Sequence, residues 1–165
     1  MEFAIERVKP GDEAILACIQ TESWKAACQD ILAADVLARC TQTDRATAMY
    51  RQLLEQKIGN GYLLTVQGEP HCIAWWDAAR DTDMPGYGEL ICIHSLPNRW
   101  GMGYGSRMME RVLQDMTAAG YSKVMLWVFA ENTRARSFYE THGFLPNGKS
   151  KPFYGATEMC YEKQL

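Results

Sequence analysis

The sequence lacks any long hydrophobic run, and no apolar stretch approaches the roughly 20 residues that a membrane-spanning helix needs. The first seven residues include two glutamates and one arginine, where a signal peptide would carry an apolar segment. Internal repeats, low-complexity tracts and linker-like stretches are also missing. We therefore expect no membrane association and a single domain that spans residues 1–165.

A strong charge of one sign is missing as well. The net charge is −3, which gives no electrostatic support for binding nucleic acid. The six cysteines form no CxxC pair and the three histidines show no metal-ligand spacing, so no metal site is expected. Several cysteines stand among apolar residues, which is typical of small core groups in a reducing compartment and predicts a cytoplasmic setting.

The composition is that of a folded globular chain, with 47% hydrophobic and 22% charged residues. Apolar periodicity predicts the order β-α-α, then three strands, then α-β-α-β. The run 124–129 is almost entirely apolar, as expected of a central strand covered on both faces. The fold class is therefore predicted as α/β with one mixed sheet. Strands are expected at 3–8, 62–66, 72–76, 89–95, 124–129 and 157–161, and helices at about 12–25, 33–58, 106–120 and 132–143.

Three glycines at alternate positions, Gly101, Gly103 and Gly105, stand between a predicted strand and a predicted helix. Such a turn lets the backbone approach a ligand closely, and the unpaired amides of the helix start favour an anion such as a diphosphate. A plain tight connection is the alternative. The residues after Gly105 do not match a P-loop, and the spacing GxGxG does not match a dinucleotide-binding turn. Glu131, which ends the next strand, keeps a nucleotide-binding alternative open.

Two segments carry a family resemblance. The run 96–106, LPNRWGMGYGS, resembles the acetyl-CoA-binding motif Gln/Arg-x-x-Gly-x-Gly/Ala of the GNAT N-acetyltransferase superfamily. The run 132–144, NTRARSFYETHGF, resembles that family's N-x-x-A-x-x-x-Y-x-x-x-G-F. The close match covers about 89–144. It implies a single domain with a mixed, mostly antiparallel sheet flanked by helices, with splayed central strands.

The resemblance also implies an activity. Such an enzyme transfers an acetyl group from acetyl-CoA to a primary amine, which attacks the thioester directly through a tetrahedral intermediate. Tyr139 matches the family's general acid, although a helix-face core residue would show the same pattern. Glu89 resembles the general base of some members, while Trp127 stands where other members place their base and cannot act as one. An acyl-CoA-binding module without catalysis is the alternative.

The cofactor contacts implied by the resemblance run along one strand and the glycine turn. Pantetheine would pair with Ile93, His94 and Ser95 like an added strand. Trp100 departs from the motif's Gln or Arg, and Arg99 beside it would supply the missing charge. Asn132 would bond to pantetheine, or cap its helix, or do both. The complete predicted set is Ile93, His94, Ser95, Arg99, Trp100, Gly101, Met102, Gly103, Tyr104, Gly105, Ser106, Asn132 and Ala135.

The acceptor end is predicted from aromatic and acidic residues. Trp24, Tyr87 and Trp127 are the candidate substrate residues, and the loop 77–88 adds Asp81 and Asp83. Acidic and aromatic groups together suit a cationic amine. Alternatively, the aspartates are solvated loop charges and Trp24 belongs to the core. The sequence leaves open a small-molecule or a peptide amine as acceptor, the length of the acyl group, and a homodimer.

Overall fold

The computed structural model describes residues 1–165 and contains one seven-stranded sheet in the order β1-β2-β3-β4-β5-β7-β6. Neighbouring strands are antiparallel except β4 and β5, which are parallel. No helix has the length and apolar character needed to cross a membrane. The strands are β1 Phe3–Arg7, β2 Asn60–Val66, β3 Glu69–Ala78, β4 Gly88–Ser95, β5 Lys123–Phe129, β6 Leu145–Phe153 and β7 Ala156–Gln164. The helices are α1 Glu13–Cys28, α2 Ala34–Cys40, α3 Thr43–Glu55, α4 Tyr104–Ala118 and α5 Thr133–Thr141, with a 3₁₀ turn at Pro97–Arg99.

Helices cover both faces of the sheet. Successive strand side chains point to opposite faces, so Ala74 and Trp76 pack with α4 while Ile73 and Trp75 pack with α1 and α3. The α4 side holds the larger core, with 18 buried residues that include Tyr139 of α5. Strand β5 is buried along both faces, as its apolar run predicts. The mixed, mostly antiparallel sheet flanked by helices is confirmed.

The centre of the sheet is splayed. Strand β5 pairs with β4 only at Gly88 and Glu89. On the other side of β4, Cys92 pairs with Trp75 and Leu90 pairs with Trp76, so Ile91 is the extra residue of a β-bulge. Beyond Glu89 the strands β4 and β5 diverge, which confirms the predicted splay. The bulge lies at Ile91, before the segment proposed for pantetheine.

The strand β6 was missed from the sequence. It contains two prolines and a glycine and is mostly exposed, so it carries neither strand propensity nor an alternating apolar pattern. The predicted helical region 33–58 is two helices, α2 and α3.

The helix caps differ between α1 and α5. Asp12 stands at the N-cap of α1 but makes no cap bond, since its carboxylate accepts from the Lys9 amide. Asn132, in contrast, does cap α5 by accepting from the Ala135 amide at 3.1 Å.

Candidate active site

The divergence of β4 and β5 opens a cleft of about 520 Å³ through the sheet. The glycine turn and the first turns of α4 and α5 line one end of this cleft. Side chains of α1, β6 and β7 line the other end, together with Arg80 from the loop between β3 and β4. We call these the turn end and the acceptor end. The cleft therefore connects the cofactor region and the acceptor region, which the sequence predicts separately.

The glycine turn places unpaired amides along the cleft. Gly101 and Gly103 have φ of +79° and +88°, a left-handed conformation that glycine adopts at little cost. Helix α4 begins directly after Gly103, and its first helical bond runs from the Arg107 amide to the Gly103 carbonyl. The amides of residues 104–106 thus have no intrahelical partner, and the positive end of the helix dipole lies beside them. Helix α4 thus begins two residues before the predicted start at residue 106, and Gly105, predicted as part of the turn, belongs to the helix.

Two buried polar atoms at the turn end have no partner in the protein. They are Nη1 of Arg99 and Nδ1 of His71, and both residues line the cleft. The His71 ring packs edge-on against Tyr104, with 5.4 Å between ring centroids. Burial lowers the pKa of His71, and the Arg99 charge lowers it further, so the imidazole stays neutral. An unpaired buried guanidinium nitrogen beside free amides fits an anionic group such as a diphosphate.

Trp100 has a different role from the Gln or Arg of the motif. Its indole N–H donates to the Ser95 carbonyl at 2.9 Å and so ties the turn to the end of β4. The guanidinium of Arg134, in α5, lies 3.5 Å from the centre of the Trp100 ring. This cation–π contact holds a second cation at the turn end. Arg134 occupies a variable position of the second motif, so the motif did not single it out.

Tyr139 lies between the two ends of the cleft. It is buried on the core-facing side of α5 and lines the cleft. Burial raises the pKa of Tyr139 well above its usual value, and the Cys92 thiol nearby raises it further. The phenol is therefore protonated at neutral pH, as a proton donor must be.

Burial lowers the pKa of His94, a second residue of the cleft wall, from 6.5 to about 4, so this histidine is neutral. Ser106 and His142 form a hydrogen bond of 3.0 Å that joins the start of α4 to the end of α5.

Glu89 lies at the fork where β4 and β5 separate, with its side chain 3% exposed. Both of its oxygens are occupied by Arg80. Oε1 accepts from the Arg80 amide and from Nε, each at 3.1 Å, and Oε2 accepts from Nη2 at 2.7 Å. A forked guanidinium bound in this way stabilises a carboxylate and fixes its orientation. This occupancy counts against the predicted role of Glu89 as the general base.

Aromatic rings line the acceptor end. Trp24 packs against Phe129 and Phe153, with centroids 5.8 Å and 6.1 Å away. The Trp127 indole donates to Asp81 at 2.9 Å, and Lys151 lies 4.1 Å from the centre of its ring. Trp24 is thus both a packing residue and part of the cleft wall.

Two residues of the predicted set lie outside the cleft. Tyr87 packs with Met84 and Met125 and donates its hydroxyl to Glu162, so it does not line the cleft, and its place at the substrate site stays a prediction. Met102 is 49% exposed and does not line the cleft. All other predicted site residues line the cleft. Residues missed from the sequence are His71, Arg80, Arg134, Lys151 and Glu158, none of which stands at a defined position of either motif.

Comparison with known proteins decides the family. Residues 27–144 match the sequence model of the Acetyltransferase (GNAT) family. The chain belongs to this family. Acetyl-CoA is the acyl donor of GNAT enzymes, and the free amides and the buried Arg99 nitrogen at the turn end suit its diphosphate. No group of three or more His, Cys, Asp or Glu side chains is placed to hold a metal ion.

Two solved structures agree with this chain at the level of the fold, and one curated relative matches part of its sequence. The PaiA N-acetyltransferase of Thermoplasma acidophilum, solved in complex with coenzyme A, is 16% identical, with a TM-score of 0.82 and full coverage of both chains. A GNAT-family acetyltransferase of Streptococcus pneumoniae is 19% identical over 99% of each chain, with a TM-score of 0.72. A mycothiol acetyltransferase of Beutenbergia cavernae is 39% identical over 59 residues. That segment is 36% of this chain and only 20% of the relative.

Proposed function

We propose that this GNAT-family protein transfers the acetyl group of acetyl-CoA to a primary amine by direct attack on the thioester. One observation carries the proposal. A single cleft joins an anion-binding turn, the protonated Tyr139 and a charged, aromatic acceptor end. Donor and acceptor can therefore meet within one cleft, which is what direct transfer requires.

The turn end supplies the groups that would hold acetyl-CoA. The amides of residues 104–106 and the Arg99 side chain would bind the diphosphate. The edge of β4 at Ile93–Ser95 faces the cleft without a strand partner on the β5 side, so it would pair with the pantetheine amides. The Asn132 oxygen already caps α5, which leaves its amide N–H groups for the same arm. Trp100 and Arg134 would stabilise the turn, whereas the Gln or Arg of the family motif would contact the cofactor with its own side chain.

Tyr139 would donate its proton to the departing sulfur. The cleft position supports this role, and the raised pKa of the buried phenol keeps the proton available at neutral pH. The acceptor end combines apolar walls, formed by Trp24 and Phe129, with charges of both signs. We propose that it takes an amine whose apolar part packs on these rings. All six cysteines are free, which supports a reducing, cytoplasmic setting.

Release of free thiol from acetyl-CoA tests the proposal. The protein is incubated with acetyl-CoA and, separately, with spermidine, lysine, phenethylamine, glycinamide and kanamycin, while calorimetry measures binding of acetyl-CoA and NADH. We expect acetyl-CoA to bind and at least one amine to accelerate thiol release. Tight binding of acetyl-CoA without turnover of any amine would favour the non-catalytic alternative. Binding of NADH in place of acetyl-CoA would contradict the assignment of the turn.

A further inference from the structure

Glu158 of β7 lies on the wall of the acceptor end, in a row of residues that crosses three strands. It pairs with Phe129 of β5 on one side and with Lys151 of β6 on the other. Directly opposed residues of antiparallel strands share one face of the sheet. All three residues line the cleft, and the Glu158 side chain is 18% exposed. A second carboxylate therefore reaches the space where an acceptor would bind.

This carboxylate is much less occupied than that of Glu89. Its ion-pair partner is Lys151, whose Nζ is 3.8 Å from Oε2, beyond hydrogen-bond distance. Lys151 also lies over the Trp127 ring, so its ammonium group contacts both the ring and Glu158. Glu89, in contrast, accepts three hydrogen bonds from Arg80. Of the two cleft glutamates, Glu158 is the one with oxygens free to receive a proton from a bound molecule.

The surroundings of Glu158 favour proton uptake. Burial raises the pKa of Glu158, and the negative charge of Glu89 raises it further, while Lys151 and Arg80 lower it. These three groups are the charges that face it, from β6, from the loop after β3 and from β4. A general base works best when its pKa is moved toward the operating pH, which for a carboxyl means upward.

We propose that Glu158, not Glu89, accepts the ammonium proton of the acceptor. The inference rests on the proposed acetyl transfer. An N–H bond of the ammonium breaks, and its proton moves to a Glu158 oxygen and then to solvent. The freed nitrogen lone pair forms the bond to the thioester carbon, and the carbonyl π electrons move to oxygen to give the tetrahedral intermediate. As the carbonyl re-forms, the C–S bond breaks with its electron pair on sulfur, and the sulfur takes the Tyr139 proton. The new amide nitrogen loses its extra proton to solvent, and the Tyr139 phenolate is reprotonated from solvent.

In this arrangement the pair formed by Arg80 and Glu89 is a positioning device. The pair joins the loop after β3 to the fork of the sheet, and so holds one rim of the acceptor end. The Asp81 carboxylate beside Arg80 accepts from the Trp127 indole, which links the same loop to the cleft wall. Loss of the Glu89 charge would loosen this rim and weaken acceptor binding, an effect on KM rather than on proton transfer.

The test compares Glu158→Gln with Glu89→Gln, using the best amine of the panel as probe. For Glu158→Gln we expect kcat near pH 7 to fall by about 100-fold, the low end of what a positioned base contributes. The loss should shrink as pH rises, because free amine then forms without a base. Glu158→Asp should recover part of the rate. Acetyl-CoA binding, measured by calorimetry, should change by less than about twofold, since the turn end is untouched.

Glu162→Gln is the matched control, because Glu162 lies on the same strand and bonds to Tyr87 outside the cleft. It should leave kcat and the pH profile unchanged. The Glu158 inference is overturned if Glu158→Gln keeps the parental kcat and pH profile while the parent acetylates an amine. It is equally overturned if Glu89→Gln alone removes the pH-dependent limb. Failure of the parent to acetylate any amine would contradict the proposed function itself, together with this role.

Discussion

At the scale of single residues, Tyr139 is the side chain with the most specific proposed role, the donation of a proton to the departing sulfur. It is buried on α5, lines the cleft and keeps its proton because burial raises its pKa. A phenylalanine fills the same space without the hydroxyl. The replacement therefore separates proton donation from packing.

We predict that Tyr139→Phe lowers kcat by about 100-fold or more, since a positioned proton donor typically contributes that much. Steady-state rates of thiol release and acetyl-CoA affinity measure the effect, and the affinity should stay within about twofold of the parent. Tyr121→Phe is the control, because Tyr121 packs on Trp76 at 5.9 Å and lies away from the cleft. An unchanged kcat in Tyr139→Phe would rule out the acid role and leave a core residue.

Trp100 departs from the family motif, which has a Gln or Arg at this position, and neighbouring residues supply the missing positive charge. The sequence shows an aromatic ring where the family has a Gln or Arg, and Arg99 was expected to supply the charge. The structure retains that possibility, since Arg99 has a buried, unpaired nitrogen, and adds Arg134 on the face of the Trp100 ring. A stacked guanidinium could not be foreseen, because residues 100 and 134 are brought together only by the packing of α5.

At the scale of elements, the start of α4 concentrates the anion-binding capacity of the cleft. The left-handed Gly103 ends the turn, and the three amides that follow it are unpaired and point along the helix axis beyond its N-terminus. A side chain at this position would meet no atom within 4 Å, so only the backbone conformation requires glycine there. The same is true of Gly120, at the other end of α4, with φ of +97°.

These two glycines make a matched pair of variants. Gly103→Ala and Gly120→Ala should each lower the free energy of unfolding by about 1–2 kcal/mol, the cost of a left-handed residue with a side chain. Only Gly103→Ala should also weaken acetyl-CoA binding, by about tenfold or more, because the amides it orients lie in the cleft. Urea unfolding and calorimetry give the two quantities. Equal acetyl-CoA affinities in the two variants would contradict the placement of the diphosphate at this turn.

Elements with strong local patterns were predicted well, and those without were not. The helices α4 and α5 and the strand β5 follow from apolar periodicity, glycine stops and the Asn132 cap, which are local features. Strand β6 is held mainly by its pairing with β7, with prolines and exposed residues along its length. Since pairing partners supply its hydrogen bonds and the sequence supplies little propensity, only the folded sheet shows it.

At the scale of the whole molecule, all three histidines favour the neutral form. Burial lowers the pKa of His71, of His94 and of His142, and for His94 the value falls to about 4. The unfolded chain would bind a proton at each of these sites near pH 6.5, so below that pH it holds more protons than the folded protein, and for His94 this difference persists down to about pH 4. Their contribution to stability is therefore complete above pH 6.5 and is lost as pH falls toward 4.

We predict that the free energy of unfolding decreases as pH falls from 7.5 to 4.5, and that His94→Gln makes this decrease less steep. The reason is that glutamine does not titrate, so the largest of the three histidine shifts disappears. Urea titrations at several pH values measure the slope, with the variant compared against its own stability at pH 7.5. A slope equal to that of the parent would show that His94 is charged or solvated in the folded state.

The sequence by itself determined the parts of this protein that short-range chemistry controls. Left-handed glycines, a helix cap and a buried apolar strand depend on neighbouring residues, and they locate the turn, Tyr139 and the family. Only the tertiary structure decided the acceptor end. There, Arg80 and Glu89 meet where the loop between β3 and β4 folds back on β4, and Lys151 and Glu158 meet across paired strands. The charges of the cleft are therefore set by strand register and splay. No local pattern encodes which carboxylate is occupied and which is free, because that depends on partners distant in the chain.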